Sequence, residues 1–141
     1  MKEYHIDIVP MGAVRMTRKG KYKDEAAQRY LSYKQAIQWQ VAVQNKEEKI
    51  FENPVKVYVV FFMPIPKSWS KPKRERHAFK PHNVKPDIDN VLKGLFDALN
   101  GLVWKDDNLV AEVTALKIYT PFKEGIRVRV KELDKEWSFN V

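Results

Sequence analysis

The run Lys85-Pro86-Asp87-Ile88-Asp89-Asn90-Val91-Leu92-Lys93-Gly94-Leu95-Phe96-Asp97-Ala98-Leu99-Asn100-Gly101, residues 85–101, sets the pattern of the chain. From Asp89 to Asn100 its spacing is helical. Val91, Leu92, Leu95, Phe96 and Leu99 form a wide apolar stripe, and Gly101 follows as a carboxyl-terminal cap. Asp87 or Asp89 stands where an amino-terminal cap belongs. A helix with so broad an apolar face has to be buried against other elements, and the flanking sequence has to supply them.

Upstream, Tyr4 to Val9 alternates with period two and stops at Pro10 and Gly12, predicting a strand. Asp24 to Gln44 contains no Gly or Pro and repeats Ala26, Tyr30, Tyr33, Ile37 and Val41 along one helical face, with Asp24 and Glu25 at its positive end. Val55 to Met63 is β-branched and aromatic, and reads as a buried strand stopped by Pro64 and Pro66. Downstream, 109–119 and 126–132 alternate as two strands, and the turn Thr120 to Gly125 predicts that they pair as an antiparallel hairpin. The order β, α, β, loop, α, β, β gives one α+β domain over residues 1–141, a small mixed sheet of about four strands with two main helices.

With 141 residues the chain is one domain's worth and needs no disulfide or metal simply to fold. It has no Cys, which removes thiolate metal sites and Cys nucleophiles and suits a reducing cytoplasm. No apolar run is long enough for a membrane span, and the first residues do not build a signal-peptide core. The net charge is +8, and it is local. Residues 11–23 carry Arg15, Arg18, Lys19, Lys21 and Lys23 with no acid. Residues 64–86 carry Lys67, Lys71, Lys73, Arg74, Arg76, Lys80 and Lys85 against Glu75 alone. The remaining chain is mildly acidic, so the composition predicts two basic loops facing a polyanion. The second holds five of the eight prolines and reads as a long exposed loop.

Beside that loop stand Asp87 and Asp89, and Asp106 and Asp107 follow the helix by a short connector. If the connector turns the chain back, these carboxylates converge, and hard oxygen donors with water and substrate phosphate are the protein share of a Mg²⁺ site. Asp97, eight residues beyond Asp89, is ~12 Å away along a helix and too far to share an ion directly. The alternative is structural: Asp87 and Asp89 as caps, Asp106-Asp107-Asn108 as a turn, and Lys93 as an i,i+4 ion pair with Asp89. Trp69, Phe79 and Trp104 carry two readings, stacking on bases or packing. None of the three histidines has ligand-like spacing. The stretch Asp87 to Val91 fits an aspartate-nucleophile phosphatase pattern, but no hydrophobic strand leads into it. An EF-hand loop fails on Val91, and no glycine loop for phosphate is present.

The string 85–101 followed by Trp104-Lys105-Asp106-Asp107 resembles the RusA family of Holliday-junction resolvases, and the order of elements is similar over most of the chain. The resemblance implies a Mg²⁺-dependent endonuclease, with Mn²⁺ as a substitute ion, found in bacteria and often borne on prophages. It implies a homodimer that nicks two opposed strands of a four-way junction in DNA recombination and repair. By motif position the metal-binding and catalytic aspartates fall on Asp87, Asp89 and Asp107, and the functional lysine on Lys93; Asp106, beside Asp107, is expected to assist in holding the metal. Where the family usually carries Gln or Asn after the acid pair, this chain has Leu109. The basic residues expected to follow DNA backbone are Arg15, Arg18, Lys19, Lys21, Lys71, Lys73, Arg74, Arg76, Lys80 and Lys85. The expected partner is branched DNA, with no membrane, in the cytoplasm of a bacterium or from a phage-encoded gene. The rival functions are a non-catalytic junction-binding module and a nuclease preferring flaps or other branches.

Overall fold

The computed structural model describes residues 1–17, 24–45, 47 and 49–141. In chain order these form β1 (Lys2–Ile6), α1 (Glu25–Gln44), β2 (Val55–Pro64), α2 (Lys71–His77), α3 (Ile88–Leu99), a single 3₁₀ turn (Asp107–Leu109), β3 (Val110–Thr120) and β4 (Gly125–Glu132). The strands make one mixed sheet in the order β1-β4-β2-β3. Among the described residues no helix is long and apolar enough to cross a membrane. The α+β architecture expected from the sequence is the one observed.

The core follows from the apolar stripes. Tyr30, Tyr33, Ile37 and Val41 of α1 and Val91, Leu95, Ala98 and Leu99 of α3 pack with Val55, Val57, Val59, Phe61 and Met63 of β2 and with inward residues of β1 and β4. Asp24 caps α1 as expected, accepting the Ala26 N–H at 2.9 Å. Gly101 follows α3 with φ 75°, a conformation that glycine adopts without a Cβ penalty.

Three expectations change. The strands 109–119 and 126–132 are not a hairpin: β2 lies between them, parallel to β3 and antiparallel to β4. Turn length and alternation cannot distinguish adjacent strands from strands one position apart. The deciding feature is β2, whose nearly unbroken apolar run calls for neighbours on both sides. Residues 65–109 provide the long crossover that a parallel β2–β3 pair requires.

The first strand is Lys2–Ile6 rather than 4–9. Beyond it the chain is held by side chains of α1. Gln40 exchanges two hydrogen bonds with the backbone of Asp7, at 2.8 and 2.9 Å, and Gln44 two with His5, at 3.0 and 2.8 Å. Two amides one helical turn apart thereby satisfy the free edge of β1 in place of another strand.

The third change is in residues 64–86, which are not a plain loop. Ser70 caps α2, and Pro72 occupies the first turn of that helix, where a missing N–H costs nothing. The following residues run along the outer edge of β3: Phe79 N–H donates to Tyr119 O, Tyr119 N–H to Lys80 O, and His82 N–H to Lys117 O, all at 2.9–3.0 Å. Tyr119 packs against the rings of Trp69, His77 and His82. A few aromatic residues moor a segment whose charge and prolines read as a long exposed loop.

Candidate active site

Asp87 and Asp89 sit at the amino end of α3, both exposed. Asp87 holds the N-cap position, and its backbone carbonyl accepts the Asn90 and Val91 N–H groups, but its side chain makes no capping bond. Neither carboxylate has a side-chain hydrogen bond or ion pair with a described residue, and the Asp89–Lys93 ion pair of the structural alternative is not formed. The capping explanation of Asp87 therefore fails, while Asp89 in the first turn still suits the helix dipole. Lys93 is exposed one turn further along α3.

Asp87 and Lys85 stand on a ridge between two open clefts. One, of about 870 Å³, lies between residues 81–88 and the end of β3. The other, of about 740 Å³, is lined by Met11, Gly12, Arg29 and Asn90. The Met11–Ala13 segment crosses the first turn of α3, with Ala13 N–H donating to Asn90 O at 3.1 Å. A Cβ on Gly12 would come within 2.4 Å of Asn90 Nδ2 and 3.2 Å of Pro86 Cβ, so a larger residue here would have to displace the Asn90 amide. The start of the first basic stretch thus borders the same cleft as Asp87.

Lys117, which sequence reasoning did not single out, fixes the other side. Its ammonium donates to the carbonyls of Val84 and Pro86, each at 2.6 Å, just before Asp87. Its position on a strand gave no hint of this, because the contact comes from the segment folded across β3. His82, also on this cleft, is buried with Nδ1 unpartnered among the described residues, and burial together with the Lys117 charge holds its imidazole below the ordinary range.

The acid pair after α3 lies elsewhere. Asp107 accepts a long 3.5 Å hydrogen bond from the Asn100 side-chain amide, and Asn100 in turn accepts the indole N–H of buried Trp104 at 2.8 Å. Asp106 accepts the Asp107 N–H. Asn100 is thirteen residues beyond Asp87, ~20 Å at 1.5 Å per helical residue. The four carboxylates do not converge in one chain, and among the described residues no group of three metal-ligating side chains is near enough to hold an ion. The connector does turn the chain, but toward the far end of α3. Asn100, seven residues before Asp107 with Trp104 midway, is the orienting residue that sequence reasoning missed. Leu109 packs against the core, so no polar ordering role falls to that position.

Asp97 accepts the Tyr30 hydroxyl at 3.1 Å, tying α3 to α1. Burial, and then the Asp97 charge, push the Tyr30 phenol upward. Trp104 is fully buried, Trp69 packs against His77 and Tyr119 under Lys73, and Phe79 remains exposed. Of the expected DNA-facing cations, Lys71, Lys73, Arg74 and Arg76 lie on α2, Lys80 and Lys85 follow it, and Arg15 is exposed. Arg18, Lys19 and Lys21 lie outside the described residues.

Comparison with known proteins adds three findings. The family model described as "Endodeoxyribonuclease RusA" matches residues 6–131. The chain is 35% identical over 129 residues to "Uncharacterized protein YqaN" of Bacillus subtilis (strain 168), covering 88% of this chain and 87% of that protein. It is 40% identical over 52 residues to "Crossover junction endodeoxyribonuclease RusA" of Aquifex aeolicus (strain VF5), covering 36% of this chain and 41% of that protein.

Proposed function

The chain belongs to the RusA endodeoxyribonuclease family, and from that membership we propose that it is a Mg²⁺-dependent, structure-selective endonuclease that resolves four-way DNA junctions by paired nicks. The observation that carries the reading is Asp87: a carboxylate in a capping position that does not cap, exposed beside Asp89 between two clefts bordered by cations. Two carboxylates at one helix end, unpaired among the described residues, match the donor set by which Mg²⁺ is commonly held, with water and phosphate completing its shell. Bound there, the ion would supply Lewis-acid stabilisation of the phosphodiester and an activated water.

The protein's own residues do the rest. Asp87 and Asp89 hold the ion, and Lys117 fixes the backbone that carries Asp87. Lys93 faces the charge that grows on the phosphate in the transition state. Lys85, Arg15 and the cations of α2 hold the backbone on either side. Mn²⁺ would serve in place of Mg²⁺.

Asp107 contributes in our reading from a second copy. Its own Asp87 is a helix length away, yet two symmetric nicks require two sites, which a two-fold dimer provides. Residues Val110–Leu116 of β3 support this arrangement. They form an outer strand edge with no backbone partner among the described residues, and Val113 and Leu116 are exposed. Antiparallel pairing of two such edges sets the start of one β3, where Asp107 lies, beside the end of the other, where Lys117 and the Asp87 segment lie. Asp106 would assist from the same turn.

The corresponding biological role is recombination and repair of branched DNA, in the cytoplasm of a bacterium or its prophage. The test is to incubate the protein with labelled four-way junction, flap and linear duplex, with and without Mg²⁺, and to map the cuts. Paired symmetric nicks confined to the junction and to Mg²⁺ are expected. Cutting of flaps alone, or binding without cutting, rejects the assignment.

A further inference from the structure

Phe79 is a bulky residue in the left-handed region, with φ 63°. Few side chains other than Gly, Asn and Asp adopt that conformation. Two backbone hydrogen bonds hold it: Phe79 N–H to Tyr119 O at 2.9 Å, and Lys80 N–H to His77 O at 3.0 Å. The ring is left 56% exposed, and Phe122, 77% exposed on the β3–β4 turn, stands beside it. Their centroids are 5.9 Å apart with planes inclined by 50°. Glycine would take this backbone without strain, and a polar side chain would suit the exposure. A phenylalanine here is unfavourable to the fold on both counts, and strain of this kind concentrates at functional positions.

The surroundings are cationic. Lys80 follows directly, and Lys71 and Arg74 line a groove of about 380 Å³ with Ala78 and Pro121. None of these three cations is ion-paired among the described residues. Two residues after Phe79, ~7 Å of extended chain, Pro81 begins the cleft that Asp87 also lines.

We propose that Phe79 and Phe122 form a stacking platform for a nucleobase that has left the helical stack at the branch of the DNA substrate. The proposal rests on the branched-DNA reading above. A four-way junction differs from a duplex in the bases at its exchange point, which lose a stacking neighbour on one side. An exposed ring offers such a base a π face, and the adjacent Lys and Arg meet its phosphate. Two rings set among cations are too small an apolar area for a stable protein partner. The platform would give preference for the branch, while the cations give affinity for any DNA.

The test compares wild type, Phe79→Gly, Phe122→Ala and the double variant, without divalent metal. The ligands are a four-way junction carrying 2-aminopurine at the branch and a linear duplex of matched sequence. Wild type is expected to prefer the junction and to change the 2-aminopurine fluorescence. Each single variant should lose about 5-fold or more in junction affinity, and the double variant should lose the fluorescence change, with duplex affinity held within about 2-fold. Phe79→Gly should melt no lower than wild type, since it relieves strain. A double variant that keeps both junction preference and the fluorescence change overturns the platform. Wild type that binds junction and duplex alike fails earlier, and removes the branched-DNA reading along with it.

Discussion

The Lys117 ammonium lies 2.6 Å from the carbonyl oxygen of Pro86, the residue immediately before Asp87, and equally close to that of Val84. A cation near the end of β3 therefore fixes the position of a carboxylate at the start of α3. The ammonium is turned to protein carbonyls, so its value is structural and positional. Lys117→Met should destabilise the fold by ~1–2 kcal/mol, the scale of hydrogen bonds to a charged group that is only partly buried. It should also slow nicking about 10-fold through misplacement of Asp87, with junction affinity nearly unchanged. Thermal melting and single-turnover rates at saturating junction check the two parts separately.

Asp89→Asn replaces an exposed carboxylate, unpaired among the described residues, by a neutral isostere, so the fold should be unaffected. Nicking in Mg²⁺ should fall at least ~100-fold. Binding should persist or tighten, because a negative charge is removed from beside cations that in the proposed function contact phosphate. Gel-shift affinity and cleavage rate on the same junction separate the effects. An Asp89→Asn protein cutting at the wild-type rate would leave this end of α3 without a catalytic role.

The sequence made α1 and α3 legible because each carries an apolar stripe, and it made the Asp87–Asp89 pair legible because it directly follows the basic stretch 64–86. Strand order was not legible. The alternation of 109–119 and 126–132 reports faces, not neighbours, and β2 inserts between them. The placement of Asp107 was equally hidden. It depends on Asn100 and Trp104 turning the connector toward the far end of α3, a contact between side chains that no spacing rule encodes. The second basic segment was misread for a related reason. Its packing comes from Trp69, His77 and His82 against Tyr119, a residue far along the chain from all three.

Three buried tyrosines set an alkaline limit. Burial pushes the Tyr4 phenol, aided by the Glu47 charge, and the Tyr33 phenol up to about 12, and Tyr30 is also raised. Above pH 10.0, the ordinary phenol value, the unfolded chain has released protons that the folded chain still holds. Deprotonation therefore favours unfolding, and the stability these groups contribute, complete below that pH, is lost as the pH rises toward 12. Chemical denaturation at a series of pH values should show the decline, with tyrosinate absorbance appearing together with loss of the far-ultraviolet helical signal. Tyr33→Phe should flatten the decline.

The distance between Asp107 and Asp87 in one chain makes a decisive mixing experiment available. The Asp87→Asn and Asp107→Asn proteins should each be inactive alone. If both aspartates of a site came from the same chain, every site of a mixed dimer would carry one lesion, and mixing would restore nothing. If Asp107 comes from the second copy, a mixed dimer gathers both lesions in one site and leaves the other intact. Exchange of subunits should then restore single nicks in the junction without paired ones. At equal concentrations half of all dimers are mixed when exchange is random, each with one working site, so the initial nicking rate should approach about a quarter of wild type. Restoration should also fail when Val113→Lys is added to both chains, because an ammonium on each copy's β3 edge places like charges across the two-fold. Cleavage assays on 5′-labelled junctions resolve single from paired nicks, and a mixture as inactive as its components would return Asp107 to a structural role at the end of α3.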